Sequence, residues 1–320
     1  MIQRRLALLL PLLAAPLIAH AQPYPSKPVR VIVPFAPGGP ADVLARVIGQ
    51  ELSDALGQPF VVENKVGAAG NIGVEQIAKA MPDGYTVGIV PVGNVAVNPS
   101  LFPALPYKAN ELAPIAMLAT VENVLVVHAG VPAKSLKELL ALAKQKPGTL
   151  SFASPGAGSQ AHLAGELMAL SAEVKLIHVP YKGIGPALND VVGGQVTMMF
   201  GAMSAVLPHV KSGKLRALGV ASIQRSATMP ELPTIAEQGL PRFEAVSWYA
   251  LMGPAGTPAP IIDRLNAEIA RSLAKPAIRE KFAAQGLEPG GGKPQELATE
   301  IQAETVRWAD VIRKQNIKPE

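Results

Sequence analysis

Val29-Arg-Val-Ile-Val33 runs straight into Pro34-Phe-Ala-Pro-Gly-Gly-Pro-Ala-Asp42 and then into helical spacing. Leu150-Ser-Phe-Ala153 does the same through Ser154-Pro-Gly-Ala-Gly-Ser159 and a second helix that lasts to Leu170. Each stretch is a strand, a Pro/Gly turn and a helix. Glycine lets such a turn approach a ligand closely, because no side chain blocks the backbone. The first amides of the following helix have no intrahelical partner, and the positive end of the helix dipole lies behind them. A terminus of this kind attracts an anion without lysine or arginine, and neither turn contains either residue. Proline and glycine also punctuate ordinary βα turns. Their matching positions in two halves of the chain favour a pair of turns that hold one anion between them. Asp42 and Ser159 also suit the bland roles of first-turn acid and N-cap, which are compatible with ligand contact.

Outward from these stretches, short apolar runs alternate with helical spacing. Val29–Val33, Phe60–Glu63 and Tyr85–Val90 read as strands, with helices over residues 41–56 and 71–80 between them. A second series has strands at Val124–His128, Leu150–Ser154, Val174–His178, Val196–Phe200 and Leu215–Ala221, and Ser135-Leu-Lys-Glu138 is a capping box. After the breaker-rich Met229–Pro241 come a strand-like run at Ala245–Met252 and a second breaker-rich segment, Gly253–Pro260. Thr257 and Pro258 suit an N-cap and first helical position, and a last helix spans about Pro294 to Lys314. This alternation predicts an α/β fold of two lobes, each a mixed, mostly parallel sheet flanked by helices. The chain is expected to cross to the second lobe near Val121–Asn123 and return near Phe243–Trp248. The first lobe then takes residues 22–122 plus 247–320, and the second takes 123–246.

Arg4 and Arg5, the apolar run Leu6–Ala19 and the small residues of Ala19-His-Ala21 have the layout of a secretory signal peptide over 1–21, cleaved after Ala21. A membrane anchor needs an unbroken apolar span of about 20 residues, and Pro11 and Pro16 interrupt this one. Cleavage leaves 299 of the 320 residues and lowers the formal charge from +5 to +3. The basic residues are scattered and aromatics make up only 4%, so nucleic-acid binding is not expected. Cysteine is absent, which removes disulfides, thiol nucleophiles and thiolate metal sites.

Enzyme signatures are weak. Ser159 and His162 lie three apart on a helix, but the chain has no Gly-x-Ser-x-Gly elbow. The mature histidines His128, His162, His178 and His209 lack the spacing of adjacent helical metal ligands. Gly67-x-x-Gly70-x-x-Gly73 is not the dinucleotide fingerprint, and Gly292-Lys293-Pro294 lacks the Ser/Thr of a phosphate loop. Asp190 suits either a ligand amine or a solvated helix face. No cofactor and no metal are expected.

Several segments together resemble one family. They are Pro34–Arg46, Glu63-Asn-Lys-Val-Gly-Ala-Ala-Gly-Asn71, Pro82-Asp-Gly-Tyr85, Asn98-Pro99, Ser154–Ser159 with His162-Leu163, His178-Val-Pro-Tyr-Lys-Gly183, Gly185-Pro-Ala-Leu188, Gly194-Gln195, Gly213–Leu218, Pro233-Thr234 and Trp248. In this order they resemble the Bug family, the substrate-binding components of tripartite tricarboxylate transporters. The resemblance implies a Venus-flytrap receptor in the periplasm, a small carboxylate as ligand, integral membrane transporter subunits as partners and a monomeric state. It implies contacts from Phe35, Gly38, Gly39, Ala41 and Asp42 in the first turn, and from Ser154, Gly156, Ala157, Gly158, Ser159 and Gln160 in the second. Gly93, Asn94 and Ala202 complete the set with Trp248, an aromatic on a crossing strand that suits either the core or a cover over the ligand. Two other readings share the fold, a ligand-sensing partner of a membrane sensor and a periplasmic enzyme. The sequence departs from the family pattern at Val92-Gly-Asn-Val-Ala-Val-Asn98, Gly183-Ile-Gly185 and Gln195-Val-Thr197, so the resemblance carries over the fold and not a particular ligand.

Overall fold

The computed structural model describes residues 24–181 and 183–319; the expected leader and its cleavage point, and Lys182 of the Tyr-Lys pair, lie outside the described residues. The strands are β1 (Val29–Val33), β2 (Phe60–Asn64), β3 (Thr86–Pro91), β4 (Leu112–Val121), β5 (Asn123–His128), β6 (Ser151–Ser154), β7 (Ile177–Pro180), β8 (Met198–Ala202), β9 (Leu215–Val220), β10 (Ser247–Pro254) and β11 (Glu288–Gly291). They form one sheet in the order β11-β4-β10-β3-β1-β2 and a second in the order β7-β6-β8-β5-β9. Both sheets are mixed. In the first, β2, β1, β3 and β4 run one way while β10 and β11 are reversed. In the second only β5 is reversed.

The apolar run of β1 exists because both of its faces are covered. Val29, Val31 and Val33 pack with Leu44, Ile48 and Leu52 of the helix Pro40–Leu56. Ile32 points the other way, onto Val74 and Ile77 of the helix Asn71–Ala78. The first of these helices starts with proline in its first turn and stops at Gly57, whose φ of +72° few other residues adopt.

Two strands are invisible in the periodicity. β4 contains Pro114, a residue that argues against a strand interior, and the β10–β4 ladder tolerates it at an irregular register. β11 reads Glu-Pro-Gly-Gly and survives as an edge strand beside β4. The run expected at Val174–His178 begins later, at Ile177, because Glu173 closes the preceding helix in the left-handed region and the Val174 amide returns to Ala169. The Ser135 box is only half closed. Its hydroxyl accepts the Glu138 amide, but the Glu138 carboxylate accepts from Lys134 N–H. Thr257 does not cap its helix; its hydroxyl donates to the Pro254 carbonyl and the helix begins at Ala259.

The lobes meet where β4 hands over to β5 and where the chain re-enters β10. Ser247 pairs with Val121 across this junction. The Asn123 side chain donates to the Ala245 carbonyl at 2.8 Å, and the Ala221 amide donates to the Asn123 carbonyl at 2.8 Å. The long helix Pro294–Lys314 lies on β4 and also touches the helix Gln160–Ala172 of the second lobe. No helix among the described residues is long and apolar enough to cross a membrane.

Candidate functional site: the interlobe cavity

A cavity of about 560 Å³ lies between the lobes. The first lobe contributes Phe35 at the end of β1, Gly93 and Asn94 from a π-helical turn after β3, and Asn98, Leu101 and Phe102 beyond it. A π turn displaces backbone from the regular helical ladder, and such turns recur at functional sites. The second lobe contributes Pro155–Gln160, and Ser247, Trp248 and Tyr249 come from the start of β10. No lysine or arginine among the described residues lines it.

The second turn is built to face this space. Gly156 and Gly158 have φ of +146° and +74°. The Ser159 hydroxyl donates to the Gly156 carbonyl at 2.7 Å and accepts the His162 amide, while His162 Nδ1 accepts the Gly158 amide at 3.0 Å. That last bond fixes His162 with its proton on Nε2, toward Glu166. Those caps leave the amides of Gln160 and Ala161, the first two helical residues, with no intrahelical acceptor. Ser154 lies behind the turn and is fully buried; its Oγ accepts the Gly156 amide and sits 2.7 Å from His178 Nε2. Burial, then the stacked His162 ring, pushes His178 down to about 4, so it is neutral at physiological pH. This contact joins a fully buried serine to a half-buried histidine behind the turn, and the Ser159 hydroxyl bonds the backbone of Gly156 and His162 rather than the His162 ring.

The first turn is arranged differently. Only Phe35 of its five candidates lines the cavity; Gly38, Gly39, Ala41 and Asp42 stand outside the lining. The Asp42 carboxylate is directed into the protein, where it accepts from Gly38 N–H, from Arg46 and from the Asn64 amide. Asn64 in turn donates to the Phe35 carbonyl at 2.9 Å. This lattice spends the turn's polar groups internally and fixes Phe35. Hydrogen bonding from Arg46, with Gly38 and Asn64, holds the Asp42 carboxyl down at about 2. Its stabilising contribution is complete above the unfolded value near 4 and is lost as pH falls toward 2. With Arg46 more than half exposed, solvent screening reduces that contribution to roughly 1 kcal/mol. Asp42→Asn is expected to lower the urea midpoint at pH 7 while flattening the wild-type acid loss between pH 4 and 2; urea melts at both ends of that window check it. Ala202, the last candidate outside the lining, ends β8 opposite Asn123 and belongs to the lobe junction. Asp190 accepts the Tyr181 hydroxyl at 2.6 Å.

Behind the π turn lies a buried amide network. Asn71 Oδ1 accepts from Asn94 Nδ2 at 3.0 Å and from Asn98 Nδ2 at 2.7 Å. The Tyr107 hydroxyl lies 2.9 Å from the same oxygen and 2.7 Å from the Asn94 carbonyl, between which its single proton is shared. Gly70 sits against this network and Phe35; a β-carbon there would fall 2.9 Å from Phe35 Cζ and 3.2 Å from the Asn94 amide.

The site thus gathers Phe35, Gly93, Asn94, Gly156, Ala157, Gly158, Ser159, Gln160 and Trp248 from the sequence candidates. Asn98, Leu101, Phe102, Ser247 and Tyr249 join them. Asn98-Pro99 carries a legible signal, a helix-starting pair directly after the Val92–Val97 segment. The others are placed by lobe contact and strand register, which local sequence does not encode.

The sequence pattern of the family described as tripartite tricarboxylate transporter family receptor matches residues 44–317. Protein BugT of Bordetella pertussis is 44% identical over 308 residues, covering 96% of this chain and 94% of its own. A Rhodopseudomonas palustris protein solved with adipate superposes with a TM-score of 0.77 at 36% identity, covering 93% of this chain and 100% of that one. MatC from the same organism, solved with bound malate, gives 0.73 at 34% identity over 90% of this chain and 100% of its own. The chain belongs to the tripartite tricarboxylate transporter receptor family, among the Bug proteins.

Proposed function

We propose that this protein is a periplasmic solute receptor that captures a small carboxylate between its lobes and delivers it to a tripartite tricarboxylate-type membrane transporter, catalysing nothing. The observation that carries the reading is the second turn, where backbone amides at a helix N-terminus meet a cavity without a basic side chain. Fixed amides and the helix dipole suit an anion of modest size, and the similar R. palustris proteins were solved with dicarboxylates. Ser154, the serine beside His178, is fully buried and offers no accessible nucleophile. In this reading residues 1–21 form a leader removed after Ala21, the lobes divide at 122/123 and 246/247, and the mature protein works as a monomer.

Isothermal calorimetry against a panel of mono-, di- and tricarboxylates, paired with X-ray scattering, tests it. Micromolar or tighter binding of at least one acid is expected, with a fall in radius of gyration as the lobes close on it. A panel without binding, or binding with turnover of the acid, overturns the reading.

A further inference from the structure

Behind the segment by which the chain returns to the first lobe lies a second cavity, of about 310 Å³, and four carboxylates line it. Glu244 belongs to the returning segment, and Glu296, Glu300 and Glu304 to the helix Pro294–Lys314. Met117 and Thr120 of β4 and Gly291 of β11 complete the wall with Val246, Trp248 and Leu297, none of them charged. One guanidinium serves this group. Arg307 pairs with Glu304 on its own helix and reaches Glu244 Oε2 at 3.5 Å. Glu304 is only 2% exposed, and its other oxygen accepts from Trp308 Nε1. Neighbouring elements bring four more charged or titratable groups to this helix: Asp263 beside Pro294, Gln295 and Ala298, Glu288 paired with Thr120 in the β11–β4 ladder, and His162 and Glu166 on the helix Gln160–Ala172. A dry carboxylate among others of its own charge keeps its proton to higher pH. Burial, partly opposed by Arg307 and Trp308, pushes Glu304 up to about 7.

The acid cavity and the interlobe cavity share a wall. Trp248 lines both, and Val246, in the wall of the acid cavity, accepts from Gln160 Nε2 of the second turn at 3.2 Å. Like charges on the two sides of so thin a wall repel through an interior that screens them poorly. We infer that carboxylate capture is proton-linked: neutralising Glu304 strengthens the binding of an anion in the interlobe cavity, and a bound anion draws a proton onto Glu304. The inference rests on the receptor reading above and adds a regulator to the same site. The two effects are one coupling free energy seen from its two ends. Glu304 carries its proton below about 7, so affinity is highest on the acid side and falls as pH rises past that value. Such a receptor loads more readily in acidic surroundings and releases its ligand as the pH climbs.

Calorimetry at pH 6 and pH 8, at constant ionic strength, tests this with malate and adipate, which are largely ionised across that range. The tighter binder is expected to gain about fivefold in affinity at the lower pH. It should also take up a fraction of a proton on binding, read from the heats in two buffers of different ionisation enthalpy. Glu304→Gln keeps the shape and removes the titration, so it should bind at both pH values as the wild type does at the lower one. Glu300→Gln removes a neighbouring charge from a partly exposed position. It should move the dependence to lower pH, and it reports even if Glu304→Gln folds poorly. Both tryptophans of the chain, Trp248 and Trp308, border this cluster. Fluorescence without ligand should therefore show a transition near pH 7 that Glu304→Gln abolishes. Wild-type affinity that does not change with pH overturns the inference while the receptor reading stands. So does a dependence that survives Glu304→Gln, which would belong to His162 beside the second turn. If neither these acids nor any other carboxylate of the panel binds, both readings fall.

Discussion

Gly158→Val is expected to remove carboxylate binding by more than 100-fold while leaving a folded protein. Gly158 adopts φ +74°, which costs a β-branched residue on the order of 1–3 kcal/mol. Space adds a second penalty. A β-carbon at Gly158 would stand 2.2 Å from Leu101 Cδ2, and Leu101 belongs to the facing lobe. The valine therefore has to push Leu101 aside or wedge the lobes apart, and either change moves the Gly158 amide off His162 Nδ1 and disturbs the helix start that presents Gln160 and Ala161. Gly39 is the control from the other turn. Its φ is −83°, and its nearest neighbour to an added β-carbon is the Ala36 carbonyl at 4.0 Å. Gly39→Val should fold well and change affinity little, since Gly39 does not line the cavity. Calorimetry on both variants, with thermal melts to establish folding, checks the pair. Wild-type affinity in Gly158→Val would mean that the anion is seated elsewhere.

That contrast marks where sequence reading stops. The repeated strand, Pro/Gly turn and helix were legible because turn chemistry and period are local, and both stretches fold as read. Their apparent equivalence was not a local property. The i,i+4 spacing of Asp42 and Arg46 is visible in the sequence, but the Asn64 amide that completes the lattice arrives from the next strand. Its arrival turns the first turn inward, while Ser159 and His162 leave the second facing the cavity. Trp248 was open between core and ligand cover for the same reason. Alternation along β10 places its ring but not its neighbours, and its position both in the core and on the cavity wall follows from the meeting of the lobes. The two strands missed, β4 and β11, carry prolines that local rules count against strands. Long-range pairing with β10 and between the two strands themselves outweighs them.

Asn71→Ala is expected to cost roughly 2–5 kcal/mol of stability and to weaken binding in parallel. Asn71 is 4% exposed, and its Oδ1 serves the side-chain amides of Asn94 and Asn98, both buried. Deleting that oxygen leaves the Asn98 amide without a partner and the Asn94 amide with the Ala69 carbonyl alone, and each buried hydrogen-bonding group stranded in this way costs about 1–3 kcal/mol. Against a total stability of about 5–15 kcal/mol for a domain the loss is large. Tyr107→Phe is the mild comparison. Burial pushes the Tyr107 hydroxyl up to about 12, so it remains a proton donor at any working pH. Its removal deletes one donor and leaves Asn71 Oδ1 with its two amides, a loss nearer 1 kcal/mol. The effect should reach the ligand because Asn94 and Asn98 sit on the cavity wall while Asn71 and Tyr107 stand behind it. Urea denaturation gives the stability difference and calorimetry with the tightest acid gives the affinity difference. The ranking Asn71→Ala well above Tyr107→Phe in both is the expected result. Equal, small effects would mean that the π turn is held by its backbone and by the packing of Val95 and Val97, and that the asparagines are incidental to the shape of the site.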